Sequence, residues 1–473
     1  MNVELSHAAT AAERYAAGRA LRKQVPRSSH AVFTTASDRP DPIDMLEAQA
    51  ATRIAKLVPI RYGRMLATPF TFLRGSAVVM ADDLAGTPTT GLRVQACGDC
   101  HLSNFGMFAT PERQLVFDVN DFDETLPAPF EWDVKRLAAS FVVAGRTFGF
   151  TRNEAASVAQ SCVEWYRTKM LAYAPMGYLE IWYSHVDIKG VNQALQAGAK
   201  QIDIGPETGA AKVGAEHARR IDKAIRKAHR RTSLGSLPRF AEQAGGGYRI
   251  KDDPPLIERI ERPELAEQVR RALEQMKQSM PEERRQLLDH YEFVDLAYKV
   301  VGVGSVGTSA LIALMIGKGE EDPLFLQLKQ AQASVLEPYA GASVHPHHGQ
   351  RVVVGQRLTQ GASDIFLGWV DNPRDPEIKY YFRQLRDMKG SFEIETMSPT
   401  GLSLYAMLCG ATLARAHARS GDAATIAGYL GRSATFDRAV IEFAEAYADQ
   451  TERDHAALAE AVRTGRLEAQ TGI

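Results

Sequence analysis

The sequence predicts an α+β fold built from more than one packed unit, and three observations lead there. With 473 residues, at roughly 100–200 residues per domain, the chain has room for several units and a large core. Its 45% hydrophobic and 24% charged residues match ordinary globular usage, which excludes extensive disorder. The texture also changes along the chain. Helix-spaced apolar positions dominate both ends, whereas the segment from Tyr298 to about Gly390 reads as short apolar runs broken by glycine turns.

The first thirty residues mix Glu, His and Arg among alanines and hold no continuous apolar stretch, so no secretory signal is read. Four cysteines (Cys97, Cys100, Cys162, Cys409) suit a reducing compartment, and a cytoplasmic location is expected. No uncharged apolar run is long enough to span a bilayer. The 56 Lys plus Arg against 57 Asp plus Glu give no global field, so no nucleic-acid partner is expected.

In chain order, DPIDMLEAQAATRIAKLVPIRYGRML follows an Asp-Pro start with helical periodicity. PFTFLRGSAVVMADDLAG is expected to be shorter and more extended. From Gly98 to Glu124 a loop leads into a β-hairpin around TPER. Glu131 to about Met176 reads as helical. His217 to Arg231 gathers Arg219, Arg220, Lys223, Arg226, Lys227, Arg230 and Arg231 on one helix, either a solvated face or a local phosphate-binding face. Glycines 245–247 and DDPP at 252–255 mark turns. VVGVGSVGTSALIALMIGKGEEDPLFLQLKQA opens the sheet-rich part, RVVVGQRLTQGASDIFLGWV adds a helix and a strand, and IKYYFRQLRDMKG adds a strand. LSLYAMLCGATLARAHARSGD begins C-terminal helices.

Chemistry concentrates in the hairpin. Asp99, His101, Asn104, Asp118, Asp121 and Asp123 crowd one short stretch with few opposing charges. Carboxylates this dense repel one another, so a fold keeps them together where they bind a cation or move a proton. Phosphoryl transfer uses such a set: an Asp to accept a hydroxyl proton, an Asn to hold metal and a further Asp to hold metal against phosphates. Asp99 and Asn104 have the D-x-x-x-x-N spacing of that machinery. Asp121 has the Asp-Phe context of the further metal ligand, with Asp118 and Asp123 as competitors. A polar hairpin with surface acids is the plain alternative.

The second constellation is Gly302, Gly304, Ser305 and Gly307, followed by Lys329 on an apolar strand. Glycines let backbone N–H groups approach phosphates, and strand alternation sets Lys329 opposite Leu326 and Leu328. The stretch also admits a Rossmann turn with TSALIALMIG as a helix, and hence an NAD(P)-binding oxidoreductase. That fold wants an acid after the next strand, where Lys329 stands; Glu320, Glu321 and Asp322 come before it. A tight turn without a ligand is the third reading.

Together GDCHLSNFG, VFDVNDFDE, EWDVKRLAAS, VVGVGSVGT, LFLQLKQA and RQLRDMKG resemble the uncharacterised bacterial family called domain of unknown function 2252, over about Pro42 to Asp449. That resemblance implies a protein-kinase-like two-lobe fold with additional helices. GDCHLSNFG also resembles the GD-x-H-x-x-N loop of aminoglycoside phosphotransferases and choline kinases, which implies a catalytic role for Asp99, a metal role for Asn104 and a bracing role for His101. The catalytic-loop match precedes the glycine-loop match, the reverse of the usual order, so the fold is expected to be circularly permuted. LYAMLCGATLARAHARSGD resembles the helix that usually leads into the catalytic loop. The implied division is residues 1–95 as an N-terminal helical segment on the catalytic lobe, 96–290 as the helical catalytic region, 291–390 as the sheet-rich nucleotide-binding region and 391–473 as helices completing the catalytic lobe. ATP and Mg²⁺ are the implied cofactors. An unidentified small-molecule or protein hydroxyl acceptor completes the expectation, with a nucleotide-binding pseudokinase as the alternative.

Other features are less directed. The helix acid that usually pairs with the strand lysine is unclear: Glu337 is near in sequence, whereas the helix over His347–Gln360 offers Gln350, Arg351 and Gln356. Cys97-Gly98-Asp99-Cys100-His101 satisfies the C-x-x-C-H haem signature, though without an export signal the thiols are expected to pack around the loop. Arg61, Arg64 and Arg74 could bind substrate or phosphate, or make salt bridges. Arg383, Gln384, Asp387 and Lys389 form a mixed polar cluster with no assigned chemistry.

Overall fold

The computed structural model describes residues 9–190, 215–244, 247–300, 302–319, 321–385 and 388–473, the side chains of 215–220 excepted. Asp387 and Glu320, named above, lie outside the described residues, as do the side chains of Arg219 and Arg220.

Helix α1 (Ala11–Leu21) is followed by α2 (Pro42–Ala50), whose first turn is set by Pro42 and by Asp41 accepting from Ile43 N at 2.7 Å. Next come α3 (Val58–Leu66), α4 (Pro69–Gly75) and α5 (Ala77–Ala85). The stretch expected to be extended is thus two short helices. Thr68 caps α4 by accepting from Thr71 N at 3.0 Å, Pro69 fits the first helical position, and the non-helical backbone of Ser76 separates the pair.

Strand β1 (Arg93–Ala96) pairs with β4 (Leu126–Pro129), and between them lies the expected hairpin of β2 (Phe105–Ala109) and β3 (Leu115–Val119). A short β5 (Val186–Asp187) extends the hairpin on the β3 side. The helical body around it consists of α6 (Phe130–Thr147), α7 (Arg152–Tyr173), α8 (Tyr178–Tyr183), α15 (Pro399–Ser420), α16 (Ala423–Leu430) and α17 (Thr435–Arg463). Glycine lets two of these touch: a Cβ on Gly410 of α15 would stand 2.1 Å from Cys162 O of α7. The large apolar core lies between these helices and the hairpin.

Helices α9 (Ala215–His229) and α10 (Ser233–Phe240) lead to the β6 (Ala241–Ala244) and β7 (Gly247–Ile250) ribbon. On α9, Lys223 and Lys227 reach Glu393 at 3.9 and 3.0 Å from exposed positions, which is the solvated-face arrangement. A six-stranded antiparallel sheet follows, comprising β8 (Ile257–Arg259), β9 (Glu292–Lys299), β10 (Ala310–Ile316), β11 (Pro323–Ala331), β12 (Gly368–Asp371) and β13 (Lys379–Gln384). Its order is β12-β13-β11-β10-β9-β8, so the sheet recruits a strand from before residue 291. Helices α11 (Pro263–Lys277) and α12 (Glu282–Leu288) fall between its first two strands, while α13 (Glu337–Ala340) and α14 (His348–Thr359) fall between β11 and β12. Leu324, Leu326 and Leu328 pack with Leu273 and Met276 of α11, whereas Phe325 packs on the opposite face with Phe240, so Lys329 shares Phe325's parity.

Residues 308–317, a helix in the Rossmann alternative, form strand β10 instead, antiparallel to both neighbours. A dinucleotide turn needs a helix N-terminus there, and the alternating burial of Leu311, Ala313 and Met315 against Ile312 and Leu314 satisfies a sheet. Among the described residues no helix is long and apolar enough to cross a membrane.

Candidate functional site

The two segments singled out in the sequence, some two hundred residues apart, line one cleft of about 560 Å³. Its floor carries Asp99, His101, Asn104, Asp121, Asp123 and Glu124, and the glycine loop at Gly302, Gly304 and Ser305 closes one side. Gly302 and Gly307 have φ of 64° and 90°, which glycine adopts without strain. A Cβ on Gly304 would stand 3.1 Å from Arg74 O and 3.9 Å from Asp99 Oδ2, so the glycine loop lies directly against the Asp99 loop. The third wall comes from α2, the turn after it and the junction of α4 with α5, including Gln49, Arg53, Arg74 and Val78; of these only Arg74 was singled out in the sequence.

The Asp99 loop is held from beneath by α6. Asp133 accepts from Cys97 N at 2.6 Å and from Gly98 N at 3.0 Å, and also meets His417 Nε2 at 3.2 Å, while Tyr166 Oη lies 2.8 Å from His417 Nδ1. Arg136, one turn on, donates to Asp99 Oδ1 through Nε at 2.9 Å and again through Nη2. Asn104 Nδ2 donates to Asp99 O at 2.7 Å, closing the loop on itself. Burial alone would raise the Asp99 carboxyl, but the Arg136 guanidinium, joined by that of Arg74, holds it below the ordinary range. Burial drives His101 down to about 3, so its ring is neutral, with Nε2 3.7 Å from Asp99 Oδ2.

The three competing acids separate clearly. Asp118, on β3, does not line the cleft: it is buried in an ion pair with Arg415 and accepts from Gly361 N at 2.9 Å, which makes it a packing group rather than a ligand facing open space. Asp123 is tied to Lys329, to Tyr381 Oη at 2.7 Å and to Ser305 Oγ at 3.3 Å. Burial opposes its charge most strongly, yet Lys329, Tyr381 and Arg383 together outweigh burial and its carboxyl lies below the ordinary range. Asp121 is the most open of the three, with Lys329 Nζ 3.9 Å away. Burial and then the neighbouring Asp123 push its carboxyl up against the pull of Lys329.

Lys329 therefore meets the floor acids, not a helix acid. Glu337 instead faces His348 at 3.8 Å and Arg351 at 4.0 Å. Arg351 takes the place on α14, donating to Thr125 O at 2.6 Å, Asp123 O at 2.7 Å and Gln332 O at 2.8 Å. Arg383 donates to Gln327 Oε1 at 2.9 Å and Asn120 O at 3.2 Å, beside rather than within the cleft.

Among the described residues one group of three metal-ligating side chains gathers closely: Cys97, Cys100 and Asp133, all buried. Desolvation pushes the Cys100 thiol well above its usual range, the Cys97 thiol is raised to about 11, and Asp133 already accepts two amides. The Asp133 carboxylate is already engaged by the two amides of the Asp99 loop, and the burial of both cysteines leaves no room for a haem on the C-x-x-C-H run.

Asp133, Arg136, Arg53, Glu124 and Tyr381 escaped the sequence reading. A signal existed for the first two: charges at i and i+3 on a helix otherwise rich in Phe, Trp, Val and Leu. Comparison with curated proteins and with solved structures gives no match. Residues 53–461, which include the Asp99 loop, the hairpin, the glycine loop and Lys329, match a family described as "Uncharacterized protein conserved in bacteria (DUF2252)". With most of its length and its whole cleft floor inside that match, the chain belongs to the DUF2252 family.

Proposed function

We propose that this chain is an ATP- and Mg²⁺-dependent phosphotransferase of circularly permuted, kinase-like fold, acting on a hydroxyl acceptor. The observation that carries the reading is the approach of Gly304 to Asp99 across one cleft, with Lys329 on the Asp123 carboxylate behind it. The sheet supports it too. Counting from the strand that enters the glycine loop, Lys329 stands on the third strand, and a helix, α14, follows before the next. That is the order of glycine loop, lysine strand and helix in kinases, here placed after the catalytic loop in the chain.

Asp121 and Asp123 are adjacent hard-oxygen donors, and the repulsion that raises Asp121 is what a divalent cation relieves. Asn104 and Asp121 would hold Mg²⁺, whose bound charge neutralises the phosphate oxygens. Lys329 would hold the α- and β-phosphates, and the amides of Ser305 to Gly307 would cover the chain. Asp99 would orient the acceptor hydroxyl. As the acceptor oxygen bonds to the γ-phosphorus and the bond to the β,γ-bridging oxygen breaks, the hydroxyl proton passes to Asp99 and ADP leaves. With its carboxyl held low by Arg136, Asp99 takes that proton late, once bond formation has acidified the hydroxyl.

A nucleotide-binding protein without transfer is the second reading. It is favoured by Lys329 spending its charge on Asp123 and by Arg351 standing where a helix acid would be. Calorimetry with MgATP beside an ADP-release assay, on the native chain and on Asp99→Asn, separates the two. The phosphotransferase reading expects both proteins to bind and only the native chain to turn over. Binding without turnover in either selects the second reading, and no binding rejects both.

A further inference from the structure

Arg61, Arg64 and Arg74 were equivalent in the sequence and are not so in space. Arg61 is fully buried and donates to Gly75 O at 2.9 Å and Gln49 Oε1 at 2.5 Å. Arg64 donates to Gly302 O at 2.5 Å and Ile473 O at 3.2 Å. Both hold structure together. Arg74 lines the cleft, yet among the described residues its guanidinium has no hydrogen bond and no ion pair, and its Nε is buried without a partner. Its one specific contact is the Phe70 ring, 5.9 Å from the guanidinium carbon.

A half-buried guanidinium that satisfies nothing is costly unless something else supplies an acceptor. Burial lowers the Arg74 pKa, and the acid acting on it most is Asp99, whose Oδ1 Arg136 already occupies. Arg53 stands on the same wall. One nitrogen, Nη1, donates to Val306 O at 2.6 Å, while its Nε is also buried without a partner. The floor opposite is acidic and, on the reading above, is spoken for by the cation and the triphosphate. The helix wall carries the cationic Arg53 and Arg74 with the uncharged Met45, Ala48, Gln49, Thr52 and Val78, and adjoins the proposed base.

We infer that Arg74, supported by Arg53, is the anchor for an oxyanion of the acceptor, so that the acceptor is a hydroxyl compound carrying a phosphate or carboxylate group. This rests on the phosphotransferase reading. A guanidinium fork meets either oxyanion through two parallel N–H donors, which places a hydroxyl a few bonds away beside Asp99. Neutral and cationic acceptors would leave Arg74 unpaired.

Inorganic phosphate is the probe, measured by thermal shift and calorimetry on the full chain, with and without Mg²⁺ and a non-hydrolysable ATP analogue. Phosphate is expected to bind the nucleotide-loaded protein, and Arg74→Gln to bind it about tenfold more weakly while its affinity for the ATP analogue stays within about twofold. Arg74→Lys, which keeps the charge and loses the fork, should fall between. Since Arg74 makes no hydrogen bond, both variants should melt at or above the native temperature. No phosphate binding to the native chain, or equal binding in Arg74→Gln, overturns the anchor. Loss of phosphate binding when the ATP analogue is bound assigns Arg74 to the nucleotide and overturns the acceptor role. Failure of the analogue itself to bind overturns the phosphotransferase reading, and with it the acceptor assignment, whatever phosphate does. As a second readout, ADP release should be stimulated by glycerate and glycerol 3-phosphate over glycerol; equal stimulation by glycerol counts against the proposal.

Discussion

Glu124 is the cleft residue whose charge is most finely balanced. It lies at the floor and accepts from Val335 N at 2.8 Å, but burial pushes its carboxyl up to about 7 against that bond and the pull of Arg351. The unfolded chain loses the proton near the ordinary 4.5, so between there and about 7 the folded state holds a proton that the unfolded state has released. Stability attributable to Glu124 therefore falls as pH rises through that window and is level above it. Glu124→Gln keeps an acceptor for Val335 N and removes the charge. It should be more stable than the native chain at pH 8, by on the order of 1–2 kcal/mol after allowing for its partial opening to the cleft, and equal to it near pH 4.5. Urea melts at the two pH values check this. An activity profile that inflects near 7 should lose that inflection in Glu124→Gln, because His101, driven down to about 3, is neutral throughout.

One element, α6, carries most of what the sequence kept hidden. Glu131, Asp133, Lys135 and Arg136 are all buried there, and their partners come from segments far away in the chain. Helical periodicity announces such an element but says nothing of distant partners. Short-range chemistry is equally ambiguous in α4 and α5, which were expected to be extended and are helical, α4 with a Thr68 cap and Pro69 in its first turn. Asp133→Asn exchanges an acceptor for an amide that cannot serve both Cys97 N and Gly98 N. A loss of about 1–3 kcal/mol and a fall in kcat with little change in nucleotide affinity are expected, since the loop that carries Asp99 loosens while Lys329 and the glycine loop stay put. Lys135 offers the opposite case. Its Nζ has no hydrogen bond and sits 5.0 Å from the Phe443 ring centroid, and burial lowers its pKa to about 7 despite Glu131. Between about 7 and the ordinary 10.5 the unfolded chain holds a proton the folded chain lacks, so this cost is greatest below pH 7 and fades as pH rises. Lys135→Met should raise stability at pH 6 by on the order of 2 kcal/mol, with the gain shrinking towards pH 10 on thermal denaturation.

At the scale of the molecule, the sheet and the helical body share the large core, which takes in Ala331 of β11, Tyr381 of β13 and Val352 and Val353 of α14, and buried polar ties join them further. Lys329, Tyr381 and Ser305 converge on Asp123, and Arg351 gathers the carbonyls of Asp123, Thr125 and Gln332. The sequence displayed both halves of this junction, because glycine turns and dense carboxylates are local signals. The pairing itself was not legible: Lys329 and Asp123 are 206 residues apart, and the expected helix acid drew attention to Glu337 instead. Lys329→Met tests whether that ion pair couples the two parts. It leaves Asp123 beside Asp121 with its main counter-charge gone, so a loss of about 2–4 kcal/mol at pH 7 is expected, together with loss of nucleotide binding. In the native chain the Asp123 carboxyl is held below its ordinary 3.8, so its stabilisation is present at neutral pH and disappears as pH falls through the folded value. The gap between native and variant should therefore narrow as the solution is acidified below about pH 4. A gap that stays constant with pH would mean that Lys329 acts through its packing between β10 and β13, and that the two parts are joined there by something other than charge.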